Sequence, residues 1–437
     1  MTNCTQVGIE FPGCKRRRVE ASFTGGEITS DGGVLLLREV DRRLRLTESV
    51  AAVLKDPRRR KSCQHGLLSL LQQRVYGLAL GYEDLNDHQS LRQDAALQTA
   101  LNRDDALASS ATLCRFENRA DRAMAVRMHE VLLDQFIASF RRPPRRLILD
   151  FDATDDAVHG GQEQRFFHGY YDQYCFLPLY VFCGRRLLVS YLRPSRSDAA
   201  KHAWAILALL VKRLRQVFPT TRIVFRGDSG FCRWRMLRWC ERHDVGYIVG
   251  IARNERLAVR TEPLMAAAER YRAALGEPVR WFTEFRYAAG SWDRERRVIA
   301  KVEVTALGRN PRYLVTNLKG EAQRLYDRLY CARGDMENRI KEQQLDLFAD
   351  RTSCHRWWAN QFRLLLSSLA YVLMEALRRL ALRATPLARA YVGTIRLRLL
   401  KIGAVILRNT RRVRLLFSSH YPEQRLFRTV VARLVPG

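Results

Sequence analysis

Apolar positions recur at helical spacing from about residue 32 to residue 140, so this region reads as a set of helices. The stretch GLLSLLQQRVYGLALGY (66–82) is one of them. SSATLCRFENR (109–119) opens on serines suited to capping a helix start and leads into an arginine-rich helix. A helix-turn-helix and a plain helical bundle both fit this pattern. RRPP at 141–144 breaks it, and the period changes afterwards. RLILDFD (146–152) is a short apolar run of the kind that forms a buried strand. CFLPLYVFC (175–183) and RLLVSYL (186–192) are two more, separated by Gly184 and Arg185 as in a hairpin. A helix is expected over 197–218, a strand ending in a Gly-rich turn over 221–230, a helix over 231–243 and a strand over 245–252. A β-leaning block covers about 256–318, with the runs VRWFTEFRY, RRVIAKVEVTAL and RYLVTNL. Helices then return, among them LYCARGDMENRIKEQQLDLFAD (329–350). The first 22 residues are polar and carry KRRR at 15–18, the look of a loose basic arm. No internal repeat is visible.

Charge narrows the classes of function. The chain has 437 residues, enough for two or three domains, and 47% hydrophobic residues, enough for packed cores. Its formal charge is +30, carried mostly by arginine. Such an excess points to a polyanion, and the planar guanidinium suits phosphate. From Leu380 to the end there are twelve Lys or Arg against one acidic residue, Glu423. Ten cysteines occur without C-x-x-C spacing, and neither the His159/His168 nor the Cys63/His65 spacing matches a zinc finger. Free, reduced cysteines and a cytoplasmic protein are therefore expected. The N-terminal MTNCTQVGIEF lacks a secretory pattern, and the longest apolar stretch, 364–377, is too short for a bilayer. A role on a membrane surface is disfavoured because the basic tail lacks a clean amphipathic helix.

Four acidic positions carry the candidate chemistry. Asp150 and Asp152 end the first strand and alternate onto one of its faces. Asp228 ends the fourth strand within RGDSG, where glycines permit close approach to a ligand and Ser229 can cap the next helix. Glu337 lies on a helical stripe with Tyr330, Arg333 and Lys341, at steps of three, four and four, while Ile340, Leu347 and Phe348 lie largely off it. Taken singly, each aspartate is a turn or capping residue, and Glu337 is half of an i,i+4 pair with Lys341. Taken together, if the first and fourth strands are neighbours, Asp152, Asp228 and Glu337 converge. Oxygen ligands alone suit a hard cation such as Mg²⁺, and two such ions about 4 Å apart serve phosphoryl transfer on nucleic acid.

LDFDATDD…HG, RGDSGFC and YCARGDMENRIKEQQLDLFADR closely resemble the DDE transposases of bacterial insertion sequences, of the group 1 type with a Y-x2-R-x3-E signature. The resemblance extends through GYEDLNDHQSLRQD and LASSATLCRFEN upstream and through WWANQFRLLLSSLAYVL and TIRLRLLKIGA downstream. It implies an α/β fold with an RNase H-like catalytic core and a β-rich insertion before the last catalytic helix. It also implies a divalent metal, with two Mg²⁺ expected and Mn²⁺ able to substitute, and cutting and rejoining of double-stranded DNA at transposon ends. The family's D-x-T element falls on Asp152-Ala153-Thr154, so Asp152, Asp228 and Glu337 take the metal-holding, catalytic positions. Tyr330 and Arg333 take the other signature positions. A lysine often follows the glutamate by seven residues. Here that position is Gln344, and Lys341 is the cation left to reach the same phosphate.

On this reading residues 1–140 recognise DNA ends or pair subunits, 145–380 form the catalytic domain with the insertion at about 256–318, and 381–437 are a basic segment holding DNA through residues such as Arg396 and Arg398. Trp292, in AGSWDRERR, is a candidate platform for an unstacked base; alternatively it packs on the insertion's own strands. A homodimer on DNA in the bacterial cytoplasm, near the nucleoid, is expected, with no membrane partner. Two other functions remain open: an RNase H-fold nuclease that cuts without strand transfer, and an inactive DNA-binding repressor derived from a transposase.

Overall fold

A computed structural model of the chain describes residues 8–59, 61 and 63–435. Residues 1–7, with the start of the expected basic arm, lie outside these, so the reading of MTNCTQV is untouched by the structure. Two compact units are formed, one from residues 48–55 and 117–375, the other from residues 1–47, 56–116 and 376–437.

The first unit is mixed α/β, built on a nine-stranded mixed sheet. From one edge the strand order is Val279–Tyr287, Arg296–Thr305, Arg312–Thr316, Gly246–Ile251, Arg222–Gly227, Arg146–Ala153, Leu179–Cys183 and Arg186–Tyr191, with Gly308–Arg309 pairing on Arg296–Thr305. Arg222–Gly227 runs parallel to both Arg146–Ala153 and Gly246–Ile251, and the other pairings are antiparallel. The first and fourth strands are therefore neighbours. In RLILDFD the positions Leu147, Ile148, Leu149 and Phe151 are apolar because both faces of their strand are covered. On one face Leu149, Phe151, Phe225 and Tyr247 pack with Leu207 and Leu214 of the helix Ala203–Val217 and with Leu237 of the helix Trp234–Arg242. On the other, Ile248 and Leu314 meet Tyr326 and Leu329.

Three expectations need correction. CFLPLYVFC is not one strand: Gln173–Phe176 belongs to a separate small sheet and Leu179–Cys183 to the large one. Pro178, which lacks an N–H for the ladder, lies at the break. The helix expected over 197–218 begins only at Ala203, because His202 adopts a left-handed backbone (φ +67°). The first part of the β-leaning block is the helix Glu255–Leu275, capped by the Asn254 side chain on the Leu257 N–H and ended by Gly276 in the left-handed conformation (φ +74°). The four strands that follow the helix extend the central sheet.

In the second unit the helices Val34–Leu44, Leu67–Leu80 and Ala95–Ala100 accompany a three-stranded sheet. Its central strand, Ala404–Arg408, pairs with Val413–Phe417 and with Ile28–Thr29, so residues from the two ends of the chain fold together. Gly33 permits this. Its N–H donates to the Leu400 carbonyl at 3.1 Å, and a Cβ there would stand 1.9 Å from the Leu399 carbonyl oxygen. Where a loose arm was expected, Ile9–Cys14 and Arg17–Ala21 form an exposed antiparallel hairpin. Among the described residues no two cysteines form a disulfide, and no helix is long and apolar enough to cross a membrane.

Candidate active site

Alternation along the Asp152 strand turns Leu149 and Phe151 into the core and leaves Asp150 and Asp152 on the opposite face. The parallel register places Asp150 beside Arg226 and Phe151 beside Gly227, so Asp152 and Asp228 are the next positions at two adjacent strand ends. Asp228 leaves the sheet in an extended conformation, and its Oδ1 accepts from the Gly230 N–H at 2.8 Å. Asp228, rather than Ser229, therefore caps the turn that follows.

Glu337 arrives from a helical stretch covering 322–346. Wider π-type turns occur at Leu325–Tyr330 and Glu342–Asp346, on either side of Gly334–Lys341. Ile340 and Leu347 are buried, and the charged stripe faces the strand ends and solvent. Arg333 joins the stripe to the sheet: its Nη1 donates to Asp152 Oδ2 at 3.0 Å and its Nη2 to Glu337 Oε1 at 2.7 Å. The partner of Glu337 is thus Arg333, one turn earlier, and not Lys341, which is exposed at the end of the stripe. Tyr330 is half-buried; a Cβ at Gly250 would lie 2.8 Å from its hydroxyl and 2.9 Å from the Ser229 nitrogen.

Electrostatics report the same convergence. Burial pushes the Asp152 carboxyl up to about 7; Arg333 and the Ala153 N–H oppose this, while Asp228 and Glu337 add to it. Burial works against the Arg333 charge, yet Asp152, Glu337 and Asp228 together hold that guanidinium above its ordinary value. Three carboxylates from three separate elements thus act on one position.

Arg226 is a site residue that the sequence pattern did not single out, although period-two alternation puts it on the Asp228 face. It is 5% exposed and holds Asp150 with two nitrogens, Nη2 to Oδ2 at 2.8 Å. The same guanidinium donates to the carbonyls of Leu329 and, at 3.4 Å, Ala332. It fastens the helix that carries Arg333 and Glu337 to the strands that carry Asp152 and Asp228. Gln344, where a family lysine often stands, donates to the Asp155 carbonyl at 3.1 Å and to Asp156 Oδ1 at 3.0 Å. Burial pushes Asp156 well above the ordinary carboxylate range, and among the described residues no cation partners it. At this position an amide hydrogen-bonds a buried carboxyl in place of a lysine reaching for phosphate.

The structure brings Asp152, Asp228, Glu337, Tyr330 and Arg333 together. Trp292 is half-buried, with its ring edge-on to Tyr287 at 5.7 Å and the Arg296 guanidinium 5.5 Å from its centroid. Arg396 donates to the Ala79 carbonyl at 2.9 Å, at the end of the helix Leu67–Leu80, and Arg398 pairs with Glu423.

The profile of the family described as Transposase DDE domain group 1 matches residues 11–436. The chain belongs to this family. No curated protein matches it. One solved structure similar to this transposase is the cryo-EM structure of piggyBac transposase synaptic complex with hairpin DNA, at 11% identity and a TM-score of 0.44, over 94% of this chain and 86% of that one.

DDE transposases generally use divalent metal ions. Asp152, Asp228 and Glu337, from two adjacent strand ends and one helix, offer the carboxylate oxygens that suit such a group. Among the described residues no three acidic, His or Cys side chains already close on one ion-sized position. In this transposase Arg333 spans the gap between Asp152 and Glu337.

Proposed function

We propose that this chain is a metal-dependent transposase that binds the terminal inverted repeats of an insertion sequence, cuts the DNA there and joins the freed strand to a target. The observation that carries the reading is the junction at Arg333, where Asp152 and Glu337 share one guanidinium with Asp228 within electrostatic reach. An RNase H-like core is supported by the two parallel strands that end in Asp152 and Asp228, with helices on both faces of the sheet. Asp152, Asp228 and Glu337 would hold the cations, two Mg²⁺ with Mn²⁺ as a substitute. When bound, the metal polarises the scissile phosphodiester and activates the attacking oxygen. The chain's own residues supply the rest. Arg333 and Lys341 neutralise phosphate charge along the stripe. Tyr330, set against Gly250, fixes the edge of the site beside the DNA end. The Asp150–Arg226 pair keeps helix and strands in register.

The helical region within residues 1–140 would recognise the ends or pair two subunits, the natural count for two ends, and the segment 381–437 would add affinity for phosphate. A bacterial protein working at the nucleoid follows from the insertion-sequence reading. The test is to incubate the protein with DNA carrying the two ends that flank its gene, with Mg²⁺, and to map the products to the nucleotide. Cuts at both ends and joined products are expected. Cuts without joining would make it a nuclease, and binding without cuts a repressor.

A further inference from the structure

Beside the first carboxylate lies a feature with no part in the chemistry described above. The segment RFFHGYYDQY (165–174) places five aromatic rings and a histidine within ten residues. It folds as the strands Phe166–His168 and Gln173–Phe176, the latter also pairing with Asp156–Ala157. This small sheet therefore begins four residues after Asp152. Its inner face is built in: Cys175 is buried, and Gln173 donates to Asp155 Oδ2 at 2.6 Å. Its outer face carries Phe167 and Tyr174, directly opposed in register, with ring centroids 5.7 Å apart and edge to face. Tyr170 stands at the tip, edge-on to Tyr171 at 5.0 Å. Phe167 is 54% exposed, Tyr170 85% and Tyr174 48%.

Two arginines flank the hairpin, Arg165 at the outer-face rings and Arg196 at Phe166, which pairs with Cys175 on the other face. The Arg165 guanidinium lies 4.9 Å from the Tyr174 centroid and that of Arg196 4.3 Å from the Phe166 centroid. Among the described residues neither guanidinium has a carboxylate partner.

An exposed patch of aromatic rings and guanidinium groups, without an aliphatic side chain, suits one kind of occupant. Unpaired bases present π-faces to stack, and the strand between them presents phosphates to Arg165. Paired bases in a duplex keep those faces stacked on one another, and an apolar protein surface would leave the arginines without partners.

We propose that the hairpin formed by Phe166–His168 and Gln173–Phe176 is a stacking platform for unpaired bases of a DNA strand next to the Asp152 site, with Phe167, Tyr170 and Tyr174 as the rings and Arg165 on the phosphates. This rests on the DNA-processing reading above. It assigns the role first considered for Trp292 to a different, more exposed set of rings.

The test compares a labelled short oligo(dT) with a duplex of equal length, by fluorescence anisotropy at one fixed salt concentration, for the full chain and its Tyr170→Ala/Tyr174→Ala variant. Oligo(dT) affinity should fall by about 5- to 150-fold for each base no longer stacked, with duplex affinity nearly unchanged. The Tyr170→Phe/Tyr174→Phe variant, which keeps both rings, should bind like the parent. If the double alanine variant melts early, Tyr170→Ala alone carries the test, since that ring is 85% exposed. Unchanged oligo(dT) affinity, or equal weakening for both DNAs, overturns the platform while leaving the DNA reading intact. A parent chain that binds neither DNA overturns both.

Discussion

Replacing Arg226 by alanine would leave the Asp150 carboxylate buried, at 2% exposure, without its guanidinium. Breaking a buried pair from one side costs about 3–5 kcal/mol. Arg226→Ala should therefore lower the denaturation midpoint strongly, as measured in urea, whereas Arg333→Ala, at a more open pair, should do so much less. Equal midpoints for Arg226→Ala and the parent would show that the pair does not fasten the helix. Asp156 offers a second test, in which the sign matters. Burial raises its carboxyl above the ordinary range in the folded chain. Its contribution to stability is thus complete below the unfolded value, near pH 4, and is lost as pH rises toward the folded value. Asp156→Asn keeps an oxygen for Gln344 and cannot ionise. Its melting temperature relative to the parent should be higher at pH 8 than at pH 5, by up to about 1.4 kcal/mol of stability per pH unit across the window. An offset independent of pH would mean that Asp156 is ionised in the fold.

At the scale of elements, Gly250 shows how tightly the strands hold the site. A Cβ there meets the Tyr330 hydroxyl at 2.8 Å and, less yielding, the Ser229 nitrogen at 2.9 Å. Gly250→Ala should displace the turn that carries Asp228 and slow cleavage by about tenfold or more, roughly 1.4 kcal/mol in the barrier, with little change in DNA affinity. Undiminished cleavage would show that the turn is not held by this approach of Gly250 to Ser229. The strands that carry Asp152 and Asp228 were legible because burial on both faces writes short apolar runs, LIL and IVF, against which Asp150, Asp152 and Asp228 stand out. The stripe on the Glu337 helix was legible for a similar reason: its period survives the π-type turns on either side. The helix Glu255–Leu275 was not legible. Its buried positions are few, Leu257, Thr261, Met265 and Ala268, and Pro263 lies inside it, so pattern and propensity both understated it. The platform hairpin escaped notice because side-chain exposure, not spacing, distinguishes it.

For the whole molecule, the charge of +30 predicts DNA binding that weakens steeply with salt. Deleting the basic C-terminal segment would not test this cleanly, because Ala404–Arg408 is the central strand of its unit and Arg396 and Arg398 are engaged within that unit. Arg411, Arg412 and Arg414 are exposed at the adjoining hairpin. Changing all three to alanine should flatten the log–log salt slope by about 0.9 for each phosphate no longer neutralised, and an unchanged slope would place the DNA elsewhere. The most direct measurement returns to the three carboxylates. Asp152→Asn, Asp228→Asn and Glu337→Gln, each assayed on the flanking element ends with Mg²⁺, should all abolish cleavage while DNA affinity stays within about twofold of the parent, since arginines on phosphate supply that affinity. Full cleavage by any one of the three variants would contradict a single centre built from Asp152, Asp228 and Glu337.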